Sequence, residues 1–242
     1  MAPTAATLLR LWESGAAAAP PDRAPSLLHS LGAVEASVRT DELTVGQCDA
    51  LLFELRRVMF GELLEVMATC PACQEDLELT VALGDLQPPV LEGPAVPLTV
   101  HADGYTLRCR IPRNDDLGAL ARYGGEATIR DLLERCALET KSPEGLPVDP
   151  RELPEAVVQA AVSALAESDP GAHTTLSVSC PCGREWVDEL DIRTVMWNDL
   201  TEWVGRTLTE VHQLARAYGW SEGEILAMSG WRRRWYLEAA GW

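Results

Sequence analysis

Four of the seven cysteines stand in two short clusters, Cys70-Pro71-Ala72-Cys73 and Cys180-Pro181-Cys182-Gly183. Thiolates are soft ligands, and four of them on two tight turns can close a tetrahedral zinc site with Zn–S bonds of about 2.3 Å. Two features separate this pattern from a compact zinc ribbon. The pairs lie far apart in sequence, where a ribbon spaces them by roughly 15–20 residues. The second pair is also C-x-C, one residue short, with Pro181 further restricting its turn. Two other readings stand beside the metal site. Reduced thiols can pack as small apolar groups. Disulfides fit less well, because seven cysteines leave one unpaired and no secretory signal is evident. His173, near Cys180, is a substitute ligand if the short turn fails.

Other chemistry is sparse. His212 follows Glu210 on a helical stretch that also carries Asp199, so a carboxylate-assisted general base is conceivable there. No partner nucleophile with a known pattern accompanies it, and a packed or solvent-facing histidine is the commoner case. His29 and His101 are isolated. Arg232-Arg233-Arg234, flanked by Trp231 and Trp235, is the basic cluster of an acidic chain. It suits an acidic partner or cation–π stacking; the plainer reading is a solvated helix face. Phosphate-loop, dinucleotide, zinc-protease and hydrolase-elbow patterns are missing.

Each cysteine pair needs a turn between two extended segments, and the flanks supply them. Leu77, Leu79, Val81 and Leu83 alternate with polar residues, as do Leu176 and Val178, which is the period of a half-buried strand. The segments 63–69 and 77–83 predict one hairpin, and 174–179 and 186–192 a second. Short helices are expected over 4–13 and 23–33, joined by the Ala16–Asp22 linker. Thr44-Val-Gly-Gln47 has the form of a capping box opening a helix that Gly61 closes. A proline-rich loop spans 87–97, and a strand 105–111 alternates Tyr105, Leu107, Cys109 and Ile111. Helices are expected from Asn114 or Asp115 to Tyr123, broken at Gly124-Gly125, then over 127–139 and 152–167. Trp197, Leu200, Val204, Leu208, Val211, Ala215 and Tyr218 mark a long amphipathic helix. A turn at Gly219 and a capping box at Ser221–Glu224 start one final helix.

The expected organisation is α+β, with a zinc-ribbon-like core built from two distant hairpins. Its parts are an N-terminal helical region (1–61), the first cysteine hairpin with the proline-rich loop (62–104), an inserted strand-and-helix block (105–172), the second hairpin (173–193) and a C-terminal helical hairpin (194–242).

The 242 residues are 47% hydrophobic, enough for a substantial core, yet no apolar run approaches the roughly 20 residues of a membrane span. Without a basic leader at the N-terminus, a reducing cytoplasmic location is expected. The net charge of −17 opposes nucleic-acid binding, which relies on a basic surface to displace counterions. Most of the eight tryptophans lie at or beyond Trp197, which points to a C-terminal packing or docking surface.

Several stretches resemble a known family. They are Leu8-Leu9-Arg-Leu-Trp12-Glu13, the Cys-Pro-Ala-Cys hairpin, Leu107-Arg-Cys-Arg-Ile-Pro-Arg-Asn-Asp-Asp-Leu117, the Cys-Pro-Cys-Gly turn and Glu210-Val-His-Gln-Leu-Ala-Arg-Ala-Tyr-Gly-Trp-Ser-Glu-Gly-Glu-Ile-Leu226 with Arg232-Arg-Arg-Trp-Tyr-Leu237. In this order they resemble the baseplate (hub assembly) proteins of contractile phage tails and phage-tail-like contractile injection systems. Gln74 stands where that pattern usually has glycine, and the second turn is one residue short. The resemblance implies a non-enzymatic role in building a baseplate, with other baseplate, spike or hub proteins as partners and possible incorporation in the particle.

The expectation is therefore a baseplate component or assembly factor with one structural Zn2+ on Cys70, Cys73, Cys180 and Cys182, and a partner surface at Trp231, Arg232, Arg233, Arg234 and Trp235. Two alternatives remain. A zinc-ribbon adaptor acting on nucleic-acid machinery is opposed by the charge. A metal-dependent hydrolase needs an open coordination position, which four cysteine ligands would close.

Overall fold

A computed structural model describes residues 3–35, 37–86, 93, 95–121 and 127–242. The fold is α+β, as expected, and it is built around two apolar cores. The larger core lies among helices from both ends of the chain: α1 (Ala5–Ala16), α2 (Pro20–Ser30), α3 (Val45–Phe60) and the helix α8 (Ile192–Tyr218). Leu28, Leu52, Met196 and Leu200 are its fully buried centre. Thr44 opens α3 with the expected capping box: its hydroxyl accepts from the Gln47 N–H, and the Gln47 side chain accepts from the Thr44 N–H. Gly61 closes α3 at φ 96°, a left-handed conformation that glycine adopts without steric cost.

Three small antiparallel sheets complete the fold, and the two hairpins among them reach this core. The first hairpin pairs β1 (Leu63–Thr69) with β2 (Asp76–Ala82), followed by a single turn of helix, α4 (Leu83–Leu86). The inserted block carries a three-stranded sheet of β3 (Leu98–Ala102), β4 (Tyr105–Cys109) and β5 (Ala137–Lys141), with β4 in the middle. Its helices are α5 (Asn114–Ala121), α6 (Ile129–Cys136) and α7 (Glu155–Ser168). The second hairpin pairs β6 (Thr174–Ser179) with β7 (Glu185–Leu190) and runs directly into α8. The block owns the second core, centred on Leu107, Leu133, Val157, Val158 and Ala161.

Four expectations change. The helix expected over 127–139 stops at Cys136, and the chain continues as β5, because the Arg110 N–H takes the Cys136 carbonyl and starts the β4–β5 ladder. The β3 strand adjoins the proline-rich loop and was not expected as a strand. The buried stripe of α8 is Ile192, Met196, Leu200, Val204, Thr207, Val211 and Leu214, so Leu208 and Tyr218 face water. The last helix is two: α9 (Glu222–Leu226) and α10 (Gly230–Ala239), the second opened by the Ser229 hydroxyl capping the Arg232 N–H. The Gly124-Gly125 break lies outside the described residues.

Buried polar links join the parts. Asp169, at the end of α7, accepts from the Thr44 hydroxyl (3.1 Å) and the Gly46 N–H (2.9 Å), so the block supplies a carboxylate to the positive end of α3. Gly46 makes this approach possible: a Cβ there would stand 2.3 Å from Asp169 Oδ1 and 2.7 Å from the Ala172 nitrogen. Arg193 on α8 donates to Asp49 (2.6 Å) and Asn114 (2.7 Å), tying α8 to α3 and α5. Within the block, Asp116 is fully buried and receives both nitrogens of Arg110 (2.6 and 2.7 Å), Arg135 Nε (3.1 Å) and the Arg113 N–H (2.9 Å).

Candidate metal centre

Two local devices bring the hairpins together on the first half of α8. Arg56, almost fully buried, donates through Nε to Asp199 (2.8 Å) and through Nη1 to the carbonyls of Gly61 (2.8 Å) and Leu63 (2.6 Å). It thus fixes the start of β1 against α8. The second hairpin is held covalently, because Asp191 leaves β7 and caps α8 by accepting from the Arg193 and Thr194 N–H groups. The alternating Leu77, Leu79 and Val81 pair with Ala68, Val66 and Leu64 on β1, and Leu176 and Val178 pair with Asp188 and Trp186 on β7.

The two tips meet. Cys70 Sγ lies 3.7 Å from Cys182 Sγ, and Cys73 Sγ lies 3.6 Å from Cys180 Sγ. All four sulfurs fall within 4.8 Å of one another. A tetrahedron of Zn–S bonds of about 2.3 Å has sulfur–sulfur edges of about 3.8 Å, so the donor set fits this ion in number, type and size. A disulfide would need about 2.05 Å, and all seven cysteines are free. Cys70 and Cys180 are buried, whereas Cys73 and Cys182 are exposed, so one sulfur of each hairpin faces inward. The second turn, despite its missing residue, presents both sulfurs to the same centre.

Each turn is closed by its own backbone. The Cys70 N–H donates to the Glu75 carbonyl (2.9 Å) and the Gln74 N–H to the Cys70 carbonyl (2.9 Å). In the shorter turn the Cys180 N–H donates to the Arg184 carbonyl (2.8 Å) and the Gly183 N–H to the Cys180 carbonyl (2.9 Å). Gln74 (φ 62°) and Gly183 (φ 89°) occupy matching left-handed positions. Glycine is at ease there; Gln74 is not, and its side-chain amide reaches back toward the Cys70 and Pro71 carbonyls at 3.4 Å. Backbone N–H groups also face the sulfurs. Those of Cys73 and Ala72 draw the Cys70 thiol down to about 6. The Cys182 N–H favours the Cys180 thiolate too, but burial and the neighbouring thiols outweigh it and push that thiol up to about 12. The Cys73 thiol is raised as well, the neighbouring Cys70 and Cys182 thiols among the causes, so the cluster without a cation keeps protons that a bound cation would displace.

The other candidate residues are dispersed. His173 stands 3.7 Å from Glu189 and is not part of the sulfur cluster. His212 is exposed, and its candidate carboxylates are engaged elsewhere: Asp199 with Arg56, and Glu210 with Arg233 (2.7 Å). That last pair corrects the expected basic cluster. Arg233 points inward, only 5% exposed, and its Nη1 also donates to the Met228 carbonyl (2.9 Å). Trp231, Arg232, Arg234 and Trp235 do lie on the surface. The cation–π contact among the described residues is instead Arg23 over Trp197, at 4.4 Å. Tyr218, Trp220 and Tyr236 form the aromatic joint between α8 and α10, with centroids 4.5 to 5.7 Å apart.

Sequence reasoning missed Arg56, Asp169 and Asp116, the three buried polar anchors. Gly46 inside the first turn of a capped helix was the available signal for Asp169; nothing local marked the other two.

The fold and the sulfur cluster define an α+β protein in which two sequence-distant hairpins converge on a shared four-thiol centre. A family model described as "T4 bacteriophage base plate protein" matches residues 32–195, about two thirds of the chain and inclusive of both cysteine turns. The chain belongs to this family. Comparison with curated proteins and with solved structures gives no match. Among the described residues no helix is long and apolar enough to cross a membrane.

Proposed function

We propose that this chain is a non-enzymatic structural component or assembly factor in the baseplate of a contractile phage-tail-like injection particle. The family match across both cysteine turns carries the reading. Cys70, Cys73, Cys180 and Cys182 would hold one Zn2+ per chain, and four thiolates leave no open position for a substrate or water. A bound zinc would supply cross-linking free energy, apparently about 10–16 kcal/mol in small zinc peptides. The residues do the rest. Arg56 and Asp191 hold the two hairpins on α8, and the inserted block, linked to α3 through Asp169, is fixed between them. Trp231, Arg232, Arg234 and Trp235 form the contact surface for a neighbouring protein, while Arg233 orients the helix that carries them.

The test is affinity capture of tagged protein from its own cells, under conditions that preserve particles, read by mass spectrometry. Recovery of spike, wedge or sheath proteins is expected. Recovery of nucleic-acid machinery would transfer the reading to a zinc-ribbon adaptor.

A further inference from the structure

Two exposed patches of complementary character lie toward opposite ends of α8. On α10, Trp231 and Trp235 are 69% and 54% exposed and stand one helical turn apart, with Arg232 and Arg234 exposed beside them. Large aromatic rings left in water and flanked by guanidinium groups are the composition of an interface centre. On the outer face of the first hairpin, Leu63 and Met67 are 61% and 63% exposed. Glu65 lies between them on the same strand face, Glu78 pairs directly across from Met67, and Asp76 follows beside it, all three exposed. One patch is aromatic and basic; the other is aliphatic and acidic.

The two do not meet within one copy, where Trp231, Trp235, Leu63 and Met67 are all more than half exposed. The hairpin is tied to α8 at Asp199 through Arg56, whereas α10 is tied to it at Glu210 and, through the Tyr218 hydroxyl, to Tyr218. Those attachment points are separated by about 17–29 Å of helix at 1.5 Å per residue.

We infer that these patches join successive copies of the protein head to tail, α10 of one against the first hairpin of the next. A contact between two different patches is heterologous, so it continues to a third copy and builds a ring if the rotation closes or an open chain if it does not. The net charge of −17 opposes association over long range. At physiological ionic strength the Debye length is about 8 Å, so that repulsion is screened between distant charges while the facing Arg–Glu pairs, in contact, keep most of their attraction. The inference rests on the proposed α10 contact surface and deepens it, naming the neighbour on that surface as another copy of this chain.

The experiment is sedimentation velocity of the full-length protein up to about 100 µM, a range that includes micromolar contacts, with metal content measured on every sample. Wild-type protein is expected to form faster-sedimenting species as concentration rises. Arg232→Glu with Arg234→Glu, and separately Glu65→Arg with Glu78→Arg, are each expected to abolish them. Mixing the two variants sets the intact α10 patch of one against the intact hairpin of the other and the reversed, acidic α10 patch against the reversed, basic hairpin, so the mixture is expected to recover the larger species. The chain carrying all four changes regains opposite signs and is expected to recover the larger species, which separates loss of contact from loss of fold. A wild-type protein that stays monomeric throughout, whatever other protein the α10 patch captures, or a four-fold variant that fails to recover association while retaining its fold, overturns the inference. Neither result touches the metal reading, which the metal content reports independently.

Discussion

The two cysteine hairpins and the block inserted between them are held by different means. The block has its own apolar core, with Leu107, Leu133, Val157, Val158 and Ala161 all fully buried, and a carboxylate, Asp116, that gathers two arginines. The hairpins are thin. The first reaches the main core through Leu64, the partly buried Val66 and Leu83, the residue after β2; the second reaches it through the partly buried Leu190. Toward the tips, Ala68, Cys70, Val178 and Cys180 are buried but belong to neither core. An isolated two-stranded hairpin is marginal in water. The difference teaches where a cross-link would matter most: the block supplies its own burial, and the tips are where the proposed zinc would add what packing does not.

The largest effect follows directly. Chelation, or Cys70→Ser or Cys180→Ser, should release the tips at a cost of several kcal/mol or more, given the apparent zinc contribution of about 10–16 kcal/mol in small peptides. Hydrogen exchange should show protection lost first on both hairpins and retained longest in α7 and β4. Equal loss in hairpins and block would erase the distinction.

Within the block, Asp116→Asn should cost about 3 kcal/mol in denaturant unfolding, the lower part of the range for breaking a buried pair, because Arg110 and Arg135 keep partial access to water. Burial alone would raise the Asp116 carboxyl; the Arg110 bonds, the Arg113 N–H and the Arg135 charge together hold it below its ordinary value. A depressed folded value stabilises above the ordinary carboxylate pKa of about 3.9 and loses that benefit as pH falls through the folded value. The wild-type advantage over Asp116→Asn should therefore be full near neutrality and shrink in acid below about pH 4.

At the joint between block and core, Gly46→Ala should cost about 2–3 kcal/mol through overpacking against Asp169 and the Ala172 backbone. It should leave metal content unchanged, because the cysteines lie elsewhere.

The smallest effects separate the two turns from each other. Gly183→Ala meets no neighbour and should cost only the backbone strain of a left-handed alanine, about 1 kcal/mol. Gln74→Gly should have the opposite sign and gain up to about 1 kcal/mol, less the entropy glycine adds to the unfolded chain. Thermal unfolding of the metal-loaded variants measures both.

What the sequence made legible follows the same division. Alternation around two Cys-Pro turns locates both hairpins within a residue or two, and paired thiols on both turns point to tips that lie together, as they do. The inserted sheet was harder to see. Its strands β3 and β5 are five residues each, and β5 continues a helical pattern without a break residue. Three consecutive arginines carry no mark of which faces inward; for Arg233, Glu210, 23 residues earlier, decides it. The stripe of α8 slipped by one position because Trp197 and Leu208 matched the helical period nearly as well as Met196 and Thr207 do.

The central claim is that four thiolates from two distant turns hold one zinc ion. X-ray absorption at the zinc edge on the purified full-length protein tests it most directly, with metal stoichiometry from mass spectrometry. The account predicts one zinc per chain in a shell of four sulfurs at about 2.3 Å. A protein that folds with no bound metal, or a shell containing nitrogen or oxygen in place of one or more sulfurs, would contradict it.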